Sequence, residues 1–136
     1  MLTSGSEESV VYLVSTPVRN DELNALFAAS WEGHTWTDFE PVLNRSLAFV
    51  CAYRAGCLVG FVNLAWDGGN HAFLLDTTVH RDLRRRGIGR ELVYRATQVA
   101  RRRGAEWLHV DYGPRLRGFY ERCGFRCTEA ELLRLR

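Results

Sequence analysis

Arg84-Arg85-Arg86-Gly87-Ile88-Gly89 stands between two segments of opposite pattern. Before it, Phe73-Leu74-Leu75-Asp76-Thr77-Thr78-Val79 is short, apolar and β-branched, and the turn signal Asp67-Gly68-Gly69-Asn70 precedes that run. After it, Ile88, Leu92, Ala96 and Val99 recur at near-helical spacing, and Gly104 provides a C-terminal stop. A strand that ends, an Arg/Gly turn and a helix that begins gather free backbone N–H groups on one small surface. The helix dipole adds positive potential there, which suits phosphate. Gly87 and Gly89 are expected to let an anion approach the backbone. Gly-x-Gly-x-x-Gly is absent, and no Gly-Lys-Ser/Thr follows, so neither a dinucleotide fingerprint nor a P-loop is present.

The motif Arg-x-x-Gly-x-Gly resembles the acetyl-CoA pyrophosphate loop of the GNAT superfamily of N-acetyltransferases. Val79-His80-Arg81-Asp82-Leu83 resembles that family's link from its fourth strand to this loop. Phe119-Tyr120-Glu121-Arg122-Cys123-Gly124-Phe125 resembles its C-terminal Leu-Tyr-Glu-Lys-Leu-Gly-Phe signature. The likeness is specific over about residues 57–127 and vaguer before them. Two motifs in the expected order are far more specific than either alone.

At 136 residues and 46% hydrophobic, the chain suits one domain with its own core. No apolar run approaches the ~18 residues that cross a membrane. Residues 1–8 are polar and acidic, lack the regions of a signal peptide, and are expected to form a disordered tail. A cytoplasmic protein is therefore expected, with its four cysteines as thiols. Cys51 and Cys57 lie in apolar strand-like runs and are expected to be buried; Cys123 and Cys127 have no second pair at zinc spacing. No metal is expected. Every basic residue is arginine. Residues 1–80 hold three arginines against nine acids, a net −6, and residues 81–136 hold fifteen against seven, a net +8. Such asymmetry fits a nucleic-acid binder or a protein handling a polyanionic cofactor. No ribonucleoprotein or helix-turn-helix pattern supports the first.

The elements follow in order. A strand covers Ser9 to Ser15. A helix capped by Asn20 or Asp21 runs to about Trp31 with Leu23, Leu26, Phe27 and Trp31 on one face. Thr37-x-x-Glu40 reads as a capping box opening a short helix with Phe39, Val42, Leu43 and Leu47 on its apolar face. Strands at about 47–54 and 57–66 meet in a hairpin at Ala55-Gly56, and the strand carrying Asp76 follows. Then come the long helix, a strand at 107–112, a helix near 115–123 and a closing strand near 132–135. The fold class is α/β: a mixed sheet flanked by about four helices. The GNAT resemblance implies the same order.

That resemblance assigns roles. Arg84, Arg85, Arg86 and the backbone N–H groups from Gly87 through Ile88, Gly89 and Arg90 would hold the pyrophosphate of acetyl-CoA. Thr78 and Val79 end the strand that in the family splays from its neighbour, so their backbone would pair with the pantetheine arm. The Val79 N–H is a candidate for polarising the thioester carbonyl. Tyr120 stands where the family has a tyrosine near the thioester sulfur. A phenol with pKa near ~10 can protonate a departing thiolate; the alternative is simple aromatic packing. Asp76 is a candidate base for the incoming ammonium, the alternative being a carboxylate facing a helix N-terminus or solvent. The Asn usual about seven residues before the tyrosine is Gly113 here. His71, His80 and His109 have no partner spacing, and His34, Trp31 and Trp36 are candidates for the acceptor side.

The expected activity is acetyl transfer from acetyl-CoA to a small-molecule primary amine, by direct attack in a ternary complex. An acyl-CoA-binding sensor or scaffold without turnover is the alternative. The expected partners are the amine and, at most, a second copy of the chain; nucleic acid and membrane are not expected.

Overall fold

The computed structural model describes residues 9–136; the expected disordered tail, residues 1–8, lies outside the described residues. Five strands, β1 (Val10–Val14), β2 (Ala48–Arg54), β3 (Cys57–Trp66), β4 (His71–Val79) and β5 (Trp107–Val110), form one sheet in sequence order. The first four run antiparallel. β5 joins β4 in parallel, because helix α3 (Ile88–Arg102) carries the chain across the sheet between them. The β2–β3 hairpin turns on Ala55 and Gly56, with φ of 51° and 78°. Both left-handed values fit a two-residue turn matching the strand twist. Helices α1 (Asn20–Ser30), α2 (Glu40–Arg45) and α4 (Arg117–Arg122) complete the fold. Among the described residues no helix is long and apolar enough to cross a membrane.

The sheet has a core on each face. On one side Ile88, Leu92, Val93, Ala96, Val99 and Ala100 of α3 pack on Val50, Ala52, Val62, Leu64, Ala72 and Leu74. On the other, Leu23, Leu26 and Phe27 of α1, with Phe39, cover Phe49, Cys51, Leu58 and Phe61. α3 ends as its composition suggests: Gly104 takes φ 90°, Gly104 N–H bonds Arg101 O and Ala105 N–H bonds Ala100 O. That is a Schellman cap.

Six expectations fail. Trp31, expected on the inward face of the first helix, is exposed. The closing strand near 132–135 does not form: residues 125–136 are irregular, and Leu132, Leu133 and Leu135 are exposed. Leu133-Arg134-Leu135-Arg136 alternate as a strand would, but no described strand pairs with them, so β5 is the edge. Arg19 caps α1, its N–H donating to the Glu22 carboxylate at 3.1 Å, because Asn20 is used elsewhere. Asn20 Nδ2 donates to Asp38, and Asn20 Oδ1 accepts from Phe39 N–H. The Thr37-x-x-Glu40 capping box does not form either. Phe39 is the cap of α2, and the Glu40 N–H goes to Asp38 Oδ1 at 3.1 Å. Val42, expected on the apolar face, is exposed. Cys51 is buried, but Cys57, the first residue after the hairpin turn, points to solvent.

Gly60 sets how closely α3 approaches the sheet. A Cβ there would lie 3.0 Å from Leu92 Cδ1, 3.1 Å from Ile88 Cγ2 and 3.2 Å from Ala52 Cβ. Replacing Gly60 by Ala should therefore destabilise the protein by about 1–3 kcal/mol, the cost of overpacking a close-packed core. Denaturant unfolding measures it; an unchanged midpoint would show that α3 can retreat freely.

Candidate active site

β4 does not pair evenly with β3. Phe61 faces Thr78 and Asn63 faces Leu75, so Val62 stands opposite two residues, Asp76 and Thr77. This is a β-bulge, and Asp76 occupies it with φ 57°. Aspartate is among the few non-glycine residues that enter this region readily. The parallel pairing of β4 with β5 covers His71 to Leu74, the full length of β5, so Leu75 to Val79 have no β5 partner.

Backbone direction in the opening follows from the ladder. His80 N–H bonds Val59 O at 2.8 Å, which makes Val59 and His80 a hydrogen-bonded pair. The next pair, Gly60 and Val79, is then of the other kind, so the Val79 N–H and C=O turn away from β3. They face the side where β5 gives no partner. Thr78 differs. Its side chain is buried, its hydroxyl donates to Asp76 O at 2.8 Å, and it accepts from Trp31 Nε1 at 3.0 Å.

A 3₁₀ turn, Arg81–Leu83, leads from β4 to the Arg/Gly loop, and the His80 ring accepts the Asp82 N–H at its start. Leu83 and Ile88 are buried and pin the loop at both ends, while Arg84, Arg85, Arg86 and Gly87 are exposed. Arg85 and Gly87 take φ of 65° and 85°, reversing the chain into α3. The first bond inside α3 is Glu91 N–H to Gly87 O at 3.0 Å. The N–H groups of Ile88, Gly89 and Arg90 therefore lack helical partners and point out of the helix start. A Cβ on Gly87 would meet nothing within 4 Å, so glycine serves the backbone angle there and the space above it is open. Gly89 is not crowded: a Cβ would make ordinary van der Waals contact, 3.4 Å from Phe119 Cζ and 3.6 Å from Val79 Cγ2. The three arginines part company. Arg84 turns inward, Nη2 donating to Ser30 O at 2.8 Å and Nε to Val79 O at 3.3 Å. Arg85, Arg86 and Arg90 form no ion pair among the described residues.

Tyr120 reaches the opening from α4. It is buried, stacked on Tyr112 at 4.9 Å, with Phe119 and Phe125 edge-on at 4.8 and 5.6 Å. Gly124 takes φ 100°, Gly124 N–H bonds Glu121 O and Phe125 N–H bonds Tyr120 O. This Schellman cap folds Phe125 back on Tyr120, which explains why Tyr-x-x-x-Gly-Phe works as a unit. Burial pushes the Tyr120 phenol above its usual value, and a hydrogen bond with the Thr77 side chain offsets part of that. The Thr77 contact brings the hydroxyl to the bulge. Desolvation also raises the Asp76 carboxyl, although the residue stays exposed. Gly113 begins a 3₁₀ turn, Pro114–Leu116, that leads into α4.

The chain belongs to the acetyltransferase (GNAT) family. That family's model matches residues 17–125. A probable glucosamine 6-phosphate N-acetyltransferase of rice (Oryza sativa subsp. japonica) is 33% identical over 70 residues, 52% of this chain and 42% of that protein. The chain thus matches less than half of that curated relative's length. Among solved structures, a GNAT-family acetyltransferase of Streptococcus pneumoniae superposes with a TM-score of 0.77 at 23% identity, covering 94% of this chain and all of that one. An aminoglycoside N-acetyltransferase in complex with CoA gives 0.77 at 19% identity, over 95% of both chains. Glucosamine-6-phosphate N-acetyltransferase of Arabidopsis thaliana gives 0.72 at 12%, over 91% of this chain and 97% of that one. At these identities the structural likeness concerns the fold.

Some of the surroundings were not legible. Trp31 reaches the site through Thr78, and Asn24 organises the loop before α2. Asn24 Nδ2 donates to Asn20 O and Thr37 O, and its Oδ1 accepts from Thr37 N–H and meets His34 Nε2 at 2.9 Å. His34 is thereby tied to the loop, and Trp36 is exposed. His71 Nδ1 lies 2.8 Å from His109 Nε2 on the sheet surface, a pairing that only the β4–β5 register reveals. Among the described residues no group of three or more His, Cys, Asp or Glu is arranged to hold a metal ion.

Asp76 yields a signed prediction. Its folded carboxyl is raised, so the fold disfavours its ionised form. That contribution to stability is present below the unfolded carboxyl value and is lost as pH rises through the folded one. Asp76→Asn removes the charge and keeps a residue that tolerates positive φ. It should raise the melting temperature at pH 7, with the gain vanishing below about pH 4. A destabilised variant at pH 7 would mean that the carboxylate has a native partner.

Proposed function

We propose that this protein transfers an acetyl group from acetyl-CoA to a primary amine of a small molecule, by direct attack within a ternary complex. The observation that carries this reading is the opening between β4 and β5. The Val79 backbone lines it, Tyr120 reaches its bulge through Thr77, and the start of α3 lies just beyond. Acetyl-CoA supplies an acetyl group activated as a thioester.

The residues divide the work. Arg85, Arg86 and Arg90, with the N–H groups from Gly87 through Ile88 and Gly89 to Arg90, hold the pyrophosphate. Arg84 acts from behind the loop, through the two carbonyls it binds. Val79, at the end of the strand that Thr78 anchors, offers its N–H and C=O to the pantetheine arm; the same N–H polarises the acetyl carbonyl. Asp76 accepts the proton of the incoming ammonium, directly or through water; its raised carboxyl makes it a better base than an ordinary aspartate. The Tyr120 hydroxyl, still protonated at neutral pH, gives its proton to the leaving thiolate. Direct attack is favoured because the thiols nearby are not activated. Burial pushes Cys123 up despite Arg90 and Arg122, and pushes Cys51 up to about 12.

For the acceptor we infer a small cationic amine. The first 80 residues carry nine acids against three arginines and supply α1, the loop after it and Asp76. A negative field over the entrance draws in cations and repels phosphates and carboxylates. The named relatives acting on aminoglycosides and glucosamine 6-phosphate make an amine on a small molecule the reference class. A screen of amines for CoA release tests the activity. Comparing kcat/KM for a tryptamine- or polyamine-type substrate with that for glucosamine 6-phosphate tests the charge argument, and preference for the phosphate would sink it. CoA binding without release across the screen would make the protein a sensor or scaffold.

Tyr120→Phe should lower kcat by roughly 10²–10⁴-fold if protonation of the thiolate limits the rate, with little change in acetyl-CoA affinity. Steady-state kinetics and calorimetry separate the two. Full activity would reduce Tyr120 to a packing residue.

A further inference from the structure

The C-terminal corner of α1 grips β4 just past the bulge. Trp31 closes α1 with its own N–H to Phe27 O at 2.8 Å. Its indole Nε1–H donates to Thr78 Oγ1 at 3.0 Å, and the Thr78 hydroxyl donates to Asp76 O at 2.8 Å. One residue earlier, Ser30 O receives Arg84 Nη2, whose Nε reaches Val79 O. Asp76, Thr78 and Val79 are therefore all held from one corner of a helix distant in sequence.

This relay has a physical purpose that packing does not supply. A left-handed φ at Asp76 is tolerated by aspartate but disfavoured against ordinary strand geometry, so it persists only where its surroundings impose it. Thr78 is 2% exposed, so water cannot satisfy its hydroxyl oxygen. Its proton is spent on Asp76 O, and the lone pair needs a donor. The indole N–H can only donate. The Trp31 ring itself is 43% exposed, a poor arrangement for a residue kept for burial.

We infer that Trp31 is a positioning residue, whose indole N–H acts through the Thr78 hydroxyl to hold the β4 bulge in the shape that aims Asp76 and the Val79 backbone. The inference rests on the acetyl-transfer reading of the site and deepens it. The helix on the acceptor side sets the geometry of the acetyl-CoA side.

Trp31→Phe removes the donor and keeps an aromatic ring; Thr78→Val removes the relay and keeps the shape. Hydrogen exchange should become about tenfold faster at amides 76–80 in each, the equivalent of one hydrogen bond, and stay unchanged in β1 and β2. With the best amine found, kcat should fall about 10–100-fold, because misplacement of reacting groups by a fraction of an ångström is costly. The acetyl-CoA dissociation constant should move less than kcat. The double variant should match either single one, since both break the same relay. Wild-type exchange in Trp31→Phe, or additive losses in the double variant, would overturn the inference. A wild-type protein that releases no CoA whichever amine is supplied would overturn the proposed activity instead, and exchange at 76–80 would still decide the tether.

Discussion

A single extra residue in β4 is what the remainder of the site depends on. β3 runs on past the bulge, so the surplus at Asp76 and Thr77 must be absorbed by β4, which does so by bending. The parallel ladder with β5 ends at Leu74, just before the bulge, and leaves the last part of β4 with backbone groups that β5 does not meet. In a closed sheet such groups would be a defect, because buried backbone donors and acceptors need partners. Here they become an edge on which an extended ligand arm can complete the ladder. The same bend brings Thr77 to Tyr120 and places the strand end beside the start of α3.

The two glycines of the Arg/Gly loop act through different physics. Gly87 is required by its left-handed backbone and faces open space, whereas a Cβ on Gly89 would make ordinary contact with Phe119 and Val79, which places the start of α3 beside α4 and the end of β4. α3 in turn is held to the sheet by its contact over Gly60, made by Ile88 and Leu92. Loop exposure and loop rigidity thus coexist, because Leu83 and Ile88 bury the residues flanking four exposed ones.

The long helix, the Ala55-Gly56 hairpin and the strand order up to β5 were legible because each rests on a local, repeated signal. Periodic apolar positions mark α3, and the small residues of a two-residue turn mark the hairpin. The GNAT family was legible from two motifs whose spacing reflects one assembled site. The bulge was not: Leu75-Asp76-Thr77-Thr78 reads as ordinary strand, and the aspartate that breaks alternation looks like a solvent-facing residue. The loop after α1 was misread for a related reason. Asn20 and Asn24 look like capping and surface residues, yet their amides reach Asp38 and Thr37, so the backbone near Thr37 has no need of a capping box. The leucines near the C-terminus show the limit of a local pattern: an alternating run without a facing strand does not become an edge strand.

Arg84-Arg85-Arg86 shows most sharply why charge alone does not assign a role. Three adjacent guanidinium groups look equivalent in sequence, yet Arg84 spends its donors on two backbone carbonyls while its neighbours stay open. Ser30 O lies at the C-terminal end of α1, where unpaired carbonyls carry partial negative charge, so Arg84 supplies a cation where the helix dipole favours one. The outward arginines act differently. At physiological salt, screening over about 8 Å confines their pull to ligands already at the loop. In the proposed function they hold an anion that has arrived, while Arg84 ties the loop to the end of β4 and to α1. One short basic run thus carries a tethered arginine beside exposed ones, with the backbone reversing at Arg85.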